Sequence, residues 1–114
     1  MSRALVFAAV AETATGLALV LVPALVGQLL LGADLTGPAA TVARVTGIAL
    51  VGLGIACWPG PPRVGMLVYS VSVALYLAYV GIAGASAGVL LWPAVIVHVV
   101  LSRLIWAGGH ETIR

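Results

Sequence analysis

Six polar side chains stand inside stretches that are otherwise apolar. They are Glu12 in AAVAETATG, Arg44 in TVARVTG, Ser72 and Tyr76 in VYSVSVALYLAYVG, and His98 and Ser102 in AVIVHVVLSR. A carboxylate in such a setting must be paired, protonated or solvated, and an ionisable residue there is a functional-site candidate by default. Arginine cannot shed its charge, so Arg44 needs an anion or water more urgently than Glu12 does. A buried tyrosine hydroxyl needs a partner, and a neutral histidine donates from one ring nitrogen and accepts at the other. Such groups suit hydrogen bonding to a lipophilic ligand, or exchange of a proton or cation at Glu12. They do not suit a metal: zinc takes three or four protein ligands, and Glu12 and His98 are only two. A haem held between two histidines would need a second one within a span, and His110 is in the tail. Cys57 is the only cysteine, which excludes a disulfide within the chain. No phosphate-binding glycine loop, nucleophile elbow or HExxH motif occurs. No catalytic residue is therefore assigned, no cofactor is specified, and nothing argues for an enzyme.

The elements that carry these residues follow from composition. The 114 residues are 63% hydrophobic and only 7% charged, with a mean hydropathy of +1.26. An ordinary soluble domain is about 25% charged, and a domain this small has too much exterior to hide so much apolar surface. The expectation is an all-α integral membrane protein, one transmembrane domain over 1–114. A spanning helix takes about 20 mainly apolar residues, and four runs qualify, near 4–22, 38–57, 64–82 and 87–107. The breaks GADLTGP, WPGPPR and AGASAG carry turn chemistry. Short connections make successive helices antiparallel neighbours, so the expected architecture is an up-down four-helix bundle. MSRALVFAAVAETA has the outline of a signal peptide but reads as the first helix. Pro23 must stop or kink that helix, because it lacks an N–H and clashes with the preceding turn. The leftover 24–31, too short to span, reads as an interfacial segment or a kinked extension.

Charge sets the expected orientation. Arg3, Arg63, Arg103 and Arg114 fall on one side of four spans, and the opposite loops hold only Asp34. Positive residues stay cytoplasmic, so both termini are expected in the cytoplasm of a cell whose inner membrane holds the chain. Trp58, Trp92 and Trp106 fall at span ends, as belt residues do. With +2 net charge, no nucleic-acid partner is expected. Glu12, nine residues past Arg3, lies about 13 Å deep at 1.5 Å per residue. Arg44 lies roughly 8 Å above it, a gap that an arginine side chain mostly closes, so the two are expected to pair. His98 lies within a turn or so of Glu12's height. Tyr69, Ser72, Tyr76 and Tyr79 share one helix face. If all four helices meet, Glu12 with Thr15, Arg44, Tyr76 with Ser72, and His98 with Ser102 form one interior cluster. Gly16, Gly47, Gly52 and Gly54 would let the backbones approach.

The run VPALVGQLLLGADLTGPAATVARVTGIALVGLGIACWPG resembles the small four-helix membrane proteins of the DoxX-like group. In that group a first helix ends at a proline, a short apolar segment follows, and the second helix opens with Arg-x-x-Gly, here Arg44 to Gly47. The resemblance covers residues 4 to 58 and implies an accessory or quinone-facing membrane subunit. AAVAETATG is loosely similar to the surroundings of the essential acid in small multidrug resistance transporters, with Glu12 at the proton- and drug-binding position. Against that likeness, the third span has tyrosines where those transporters carry a tryptophan, and the arginine bias is one-sided. The expected function is an accessory protein or subunit. Its polar cluster (Glu12, Arg44, Ser72, Tyr76, His98, Ser102) binds a quinone-like lipophile or helps dock a partner subunit, in a homo-oligomer or a larger complex in the lipid bilayer. Two other readings stay open: a proton-coupled transporter using Glu12, and a purely structural subunit of a membrane complex.

Overall fold

A computed structural model describes residues 3–84 and 88–107, and all of its regular structure is helical. Five helices follow in order: α1 (Arg3–Leu21), α2 (Pro23–Leu31), α3 (Pro38–Cys57), α4 (Pro62–Ala83) and α5 (Leu91–Ala107). Three of them, α1, α3 and α4, are long and apolar enough to cross a membrane. The fourth apolar run is shorter than expected. Its helix begins only at Leu91, after a turn in which the Leu91 N–H donates to the Gly88 carbonyl. At 17 residues, α5 is about 25 Å long, slightly under the ~30 Å of a hydrocarbon core.

Pro23 acts as its chemistry requires. The Val22 N–H still donates to the Ala18 carbonyl, then the helix breaks and α2 starts with the proline in its first turn. Leu19 loses its usual partner because Pro23 has no N–H. The Val20 carbonyl likewise receives no backbone donor across the break. The nine residues of α2 end at Gly32, whose left-handed conformation (φ 73°) lets Gly32 and Ala33 return hydrogen bonds to Gln28 and Gly27.

The long helices pack as an open row. Contacts join α1 to α3, α3 to α4 and α4 to α5, with α2 lying against α1 and α3; no other pair makes more than a marginal contact. The Cα extents are 43 × 35 × 17 Å, so across the helix axes the described chain is about twice as wide as it is thick. The described residues therefore form a layer, where the sequence led us to expect a closed bundle. The cause is visible in α3. A Cβ on Gly47 would lie 2.5 Å from the Gly16 carbonyl oxygen of α1, and one on Gly52 would lie 2.9 Å from the Gly65 carbonyl oxygen of α4. Gly47 and Gly52 are five residues apart, or ~140° around the helix. With close-approach faces on nearly opposite sides, α3 holds α1 and α4 apart.

The glycine contacts also fix direction. Gly16 meets Gly47 while Ala9 meets Gly54, and Gly52 meets Tyr69 while Ala56 meets Gly65, so neighbours run antiparallel. Arg3, Arg63 and Arg103, all exposed, consequently lie at one end of the row. The buried apolar residues are Ala9, Ala43, Val73, Ala74, Val80 and Val95. Small residues thus fill the seams, while Phe7 (76% exposed) and Leu29 (79%) face outward. In lipid the outer surface gains nothing from burial, and close van der Waals packing of small residues drives helix association.

Candidate functional site

The row decides which polar residues can meet. Glu12 is on α1 and His98 on α5, with α3 and α4 between them. Helices pack 8–10 Å apart, so three spacings put the two roughly 25 Å apart across the layer. The single interior cluster expected from the sequence is not assembled within the described chain.

Arg44 and Glu12 are also not brought together. Among the described residues Glu12 makes no hydrogen bond or ion pair. Arg44, half-buried, donates from Nε to the Val20 carbonyl oxygen at 3.2 Å. That carbonyl is one the break before Pro23 left without a backbone donor. Val20 lies eight residues beyond Glu12, or about 12 Å along α1. Helical phase separates the pair further. Ala9, Val10, Thr13, Ala14 and Leu17 line an open groove of about 370 Å³ with Ile55, Trp58 and Pro59. Arg44 is eleven residues from Ile55, three turns along the same face of α3. Glu12 lies on the other flank of the α1 seam, away from Val10, Ala14 and Leu17. The arginine therefore serves as a helix-end cap, a role that suits a cation beside C-terminal carbonyls.

A polar grouping does form between α4 and α5. The His98 Nδ1 lies 2.8 Å from the Ala94 carbonyl oxygen. A carbonyl only accepts, so Nδ1 carries a proton, and in the neutral ring Nε2 is left as an acceptor. The Ser102 hydroxyl donates to the His98 carbonyl at 2.7 Å, which ties Ser102 to its own helix. The aromatic neighbour of His98 is Tyr69, edge to face at 5.6 Å between ring centres, in the range of a favourable aromatic pair. It is not Tyr76, which sits two turns, about 10 Å, further along α4. Ser72 is one turn from Tyr69; Ser72 and Tyr76 are both half-buried and hydrogen-bond to no described residue. No family model, no curated protein and no solved structure matches this chain. Among the described residues no group of three or more potential metal ligands occurs. His110 and Arg114 lie outside the described residues.

Two participants escaped the sequence reading. Tyr69 was legible only as one of a tyrosine stripe; pairing it with His98 requires the α4–α5 register. Ser70 is fully buried, and its hydroxyl has no hydrogen-bond partner among the described residues. The available signal was the run of small residues Ser70, Ala74, Ala78 and Gly81, which marks the face of α4 turned to α5. The Gly81 end of that run meets Leu91 and Trp92.

Proposed function

We propose that this chain is a multi-pass protein of the cytoplasmic membrane, DoxX-like in kind, with both termini in the cytoplasm and α5 as its fourth span. It acts as an accessory subunit that holds a quinone-like lipophile at the α4–α5 seam or presents that seam to a partner subunit. In a membrane, a second copy or partner laid against the open row would complete a helical bundle. One observation carries the ligand reading. The Ala94 carbonyl fixes the His98 ring through Nδ1, leaving Nε2 and the Tyr69 hydroxyl with no described partner. An acceptor and a donor on two packed aromatic rings suit a flat lipophile bearing carbonyl or hydroxyl groups. The test is quenching of intrinsic fluorescence in the purified chain by a short-chain benzoquinol, whose hydroxyls can donate to Nε2 and accept from the Tyr69 hydroxyl. Wild type is expected to saturate. Tyr69→Phe and His98→Phe each remove one hydrogen bond of ~0.5–1.5 kcal/mol and are expected to weaken binding about two- to tenfold. Equal affinity in all three proteins refutes the site.

A second reading has an observation of its own. Glu12 has no ion-pair partner among the described residues, so its carboxylate is free to take a proton or a lipophilic cation, as a proton-coupled transporter requires. Cation-stimulated proton release that disappears in Glu12→Gln would favour it over the accessory subunit.

A further inference from the structure

Arg44 ends with more donors than the protein fills. Its guanidinium has five N–H groups. One, on Nε, is given to the Val20 carbonyl, and the other four have no partner among the described residues. No carboxylate pairs with it there: Glu12 makes no ion pair, and neither does exposed Asp34. The charge is permanent, and an unmatched cation at the edge of a hydrocarbon layer is costly. No anion among the described residues supplies the balance, which leaves it to water or to an anion from the surroundings.

The anchor fixes the depth of that charge. Val20 is the penultimate residue of α1, so the backbone that anchors the guanidinium lies within about one residue's rise, ~1.5 Å, of the helix end. With 19 residues, α1 is about 28 Å long, close to the ~30 Å hydrocarbon thickness. If α1 spans the hydrocarbon core, its end falls near the edge of that core, a few Å below the headgroup layer, within reach of an arginine side chain. The nearby elements leave the position open at the side: Leu21, Val22 and Leu25 are exposed, and α2 leans over the junction of α1 and α3. The planar fork matches a phosphate's paired oxygens better than a lysine point charge would.

We propose that Arg44 is a binding site for the phosphate of an anionic phospholipid, held where α1, α2 and α3 meet. The helix break before Pro23 builds the site, because the carbonyl it frees clamps Nε and so orients the remaining donors. This site is separate from the α4–α5 seam and stands or falls without it.

The full chain in nanodiscs of equimolar phosphatidylglycerol and phosphatidylcholine, released for native mass spectrometry, tests the proposal. Wild type is expected to keep one phosphatidylglycerol per chain with at least about a fivefold preference, the gain of one cation near an anionic headgroup surface. That lipid should persist in Arg63→Met and Arg103→Met and be lost in Arg44→Met. No preference in wild type overturns the proposal, as does full retention by a helical Arg44→Met variant. Displacement by 20 mM inorganic phosphate also overturns it, since that marks a free-phosphate site. If the methionine variant does not fold, Arg44→Lys decides. It keeps the charge without the fork and the Nε donor, so a preference reduced severalfold supports the site, and an unchanged preference overturns it.

Discussion

Between α1 and α3, backbone meets backbone. A Cβ on either Gly16 or Gly47 would reach the other's carbonyl oxygen at 2.5 Å, and Arg44 gives its Nε donor to the end of α1. Between α4 and α5, side chains meet. Gly81 is covered by Leu91 and Trp92, Tyr69 stands edge-on to His98, and the buried Ser70 hydroxyl bonds to no described residue. The first seam is closed where its glycines meet, and its polar surplus, the four N–H groups of Arg44 without a partner among the described residues, lies at one end of it. The second leaves donors and acceptors over, which is why the ligand reading rests there. Backbone-to-backbone packing and paired aromatic groups are thus separated along one row of helices.

The sharpest way to break this contrast is to add a methyl group to each seam. Gly47→Ala puts a Cβ against the Gly16 backbone, which cannot rotate away; overpacking of this kind costs roughly 1–3 kcal/mol. The upper end is expected, read as a fall in the unfolding midpoint in micelles. Gly81→Ala meets only side-chain atoms of Leu91 and Trp92, at 2.7 Å, which can shift. Its cost is expected to stay within about 1 kcal/mol, because alanine also favours the helix by a similar amount. Comparable losses at the two positions would show that the α4–α5 seam is as tightly closed as the other.

Arg44→Met tests the cap next. Losing a hydrogen bond from a charged group costs about 1.5–3 kcal/mol. Glu12→Gln added to it should change stability independently, within ~0.5 kcal/mol, as for residues that share no partner. A larger coupling in the double-mutant cycle would restore the pair that depth alone suggested. The smallest effect is expected at Ser70. Its hydroxyl is buried without a bond, so Ser70→Ala should leave the apo protein unchanged or stabilise it by up to ~1 kcal/mol. Destabilisation of that size would mean that the hydroxyl is bonded in the membrane and the seam is already satisfied.

The sequence by itself determined that this is a helical chain with membrane-crossing stretches, because composition and run length suffice to exclude a soluble core. It also placed the helix break at Pro23, since a missing N–H acts locally whatever surrounds it. It put the small residues in the seams and the arginines at the ends. Partnership was decided only in three dimensions. Depth along a helix comes from counting, and by depth alone Glu12, Arg44 and His98 are neighbours. Which helices touch depends on where around each helix the close-approach glycines lie. The two opposed glycine faces of α3 spread the helices into a row and carried Glu12 away from His98. The Val20 carbonyl, a backbone atom with no signature in side-chain type, claimed Arg44. Tyr69 replaced Tyr76 beside His98 because antiparallel register, a property of two helices together, sets which residues stand level.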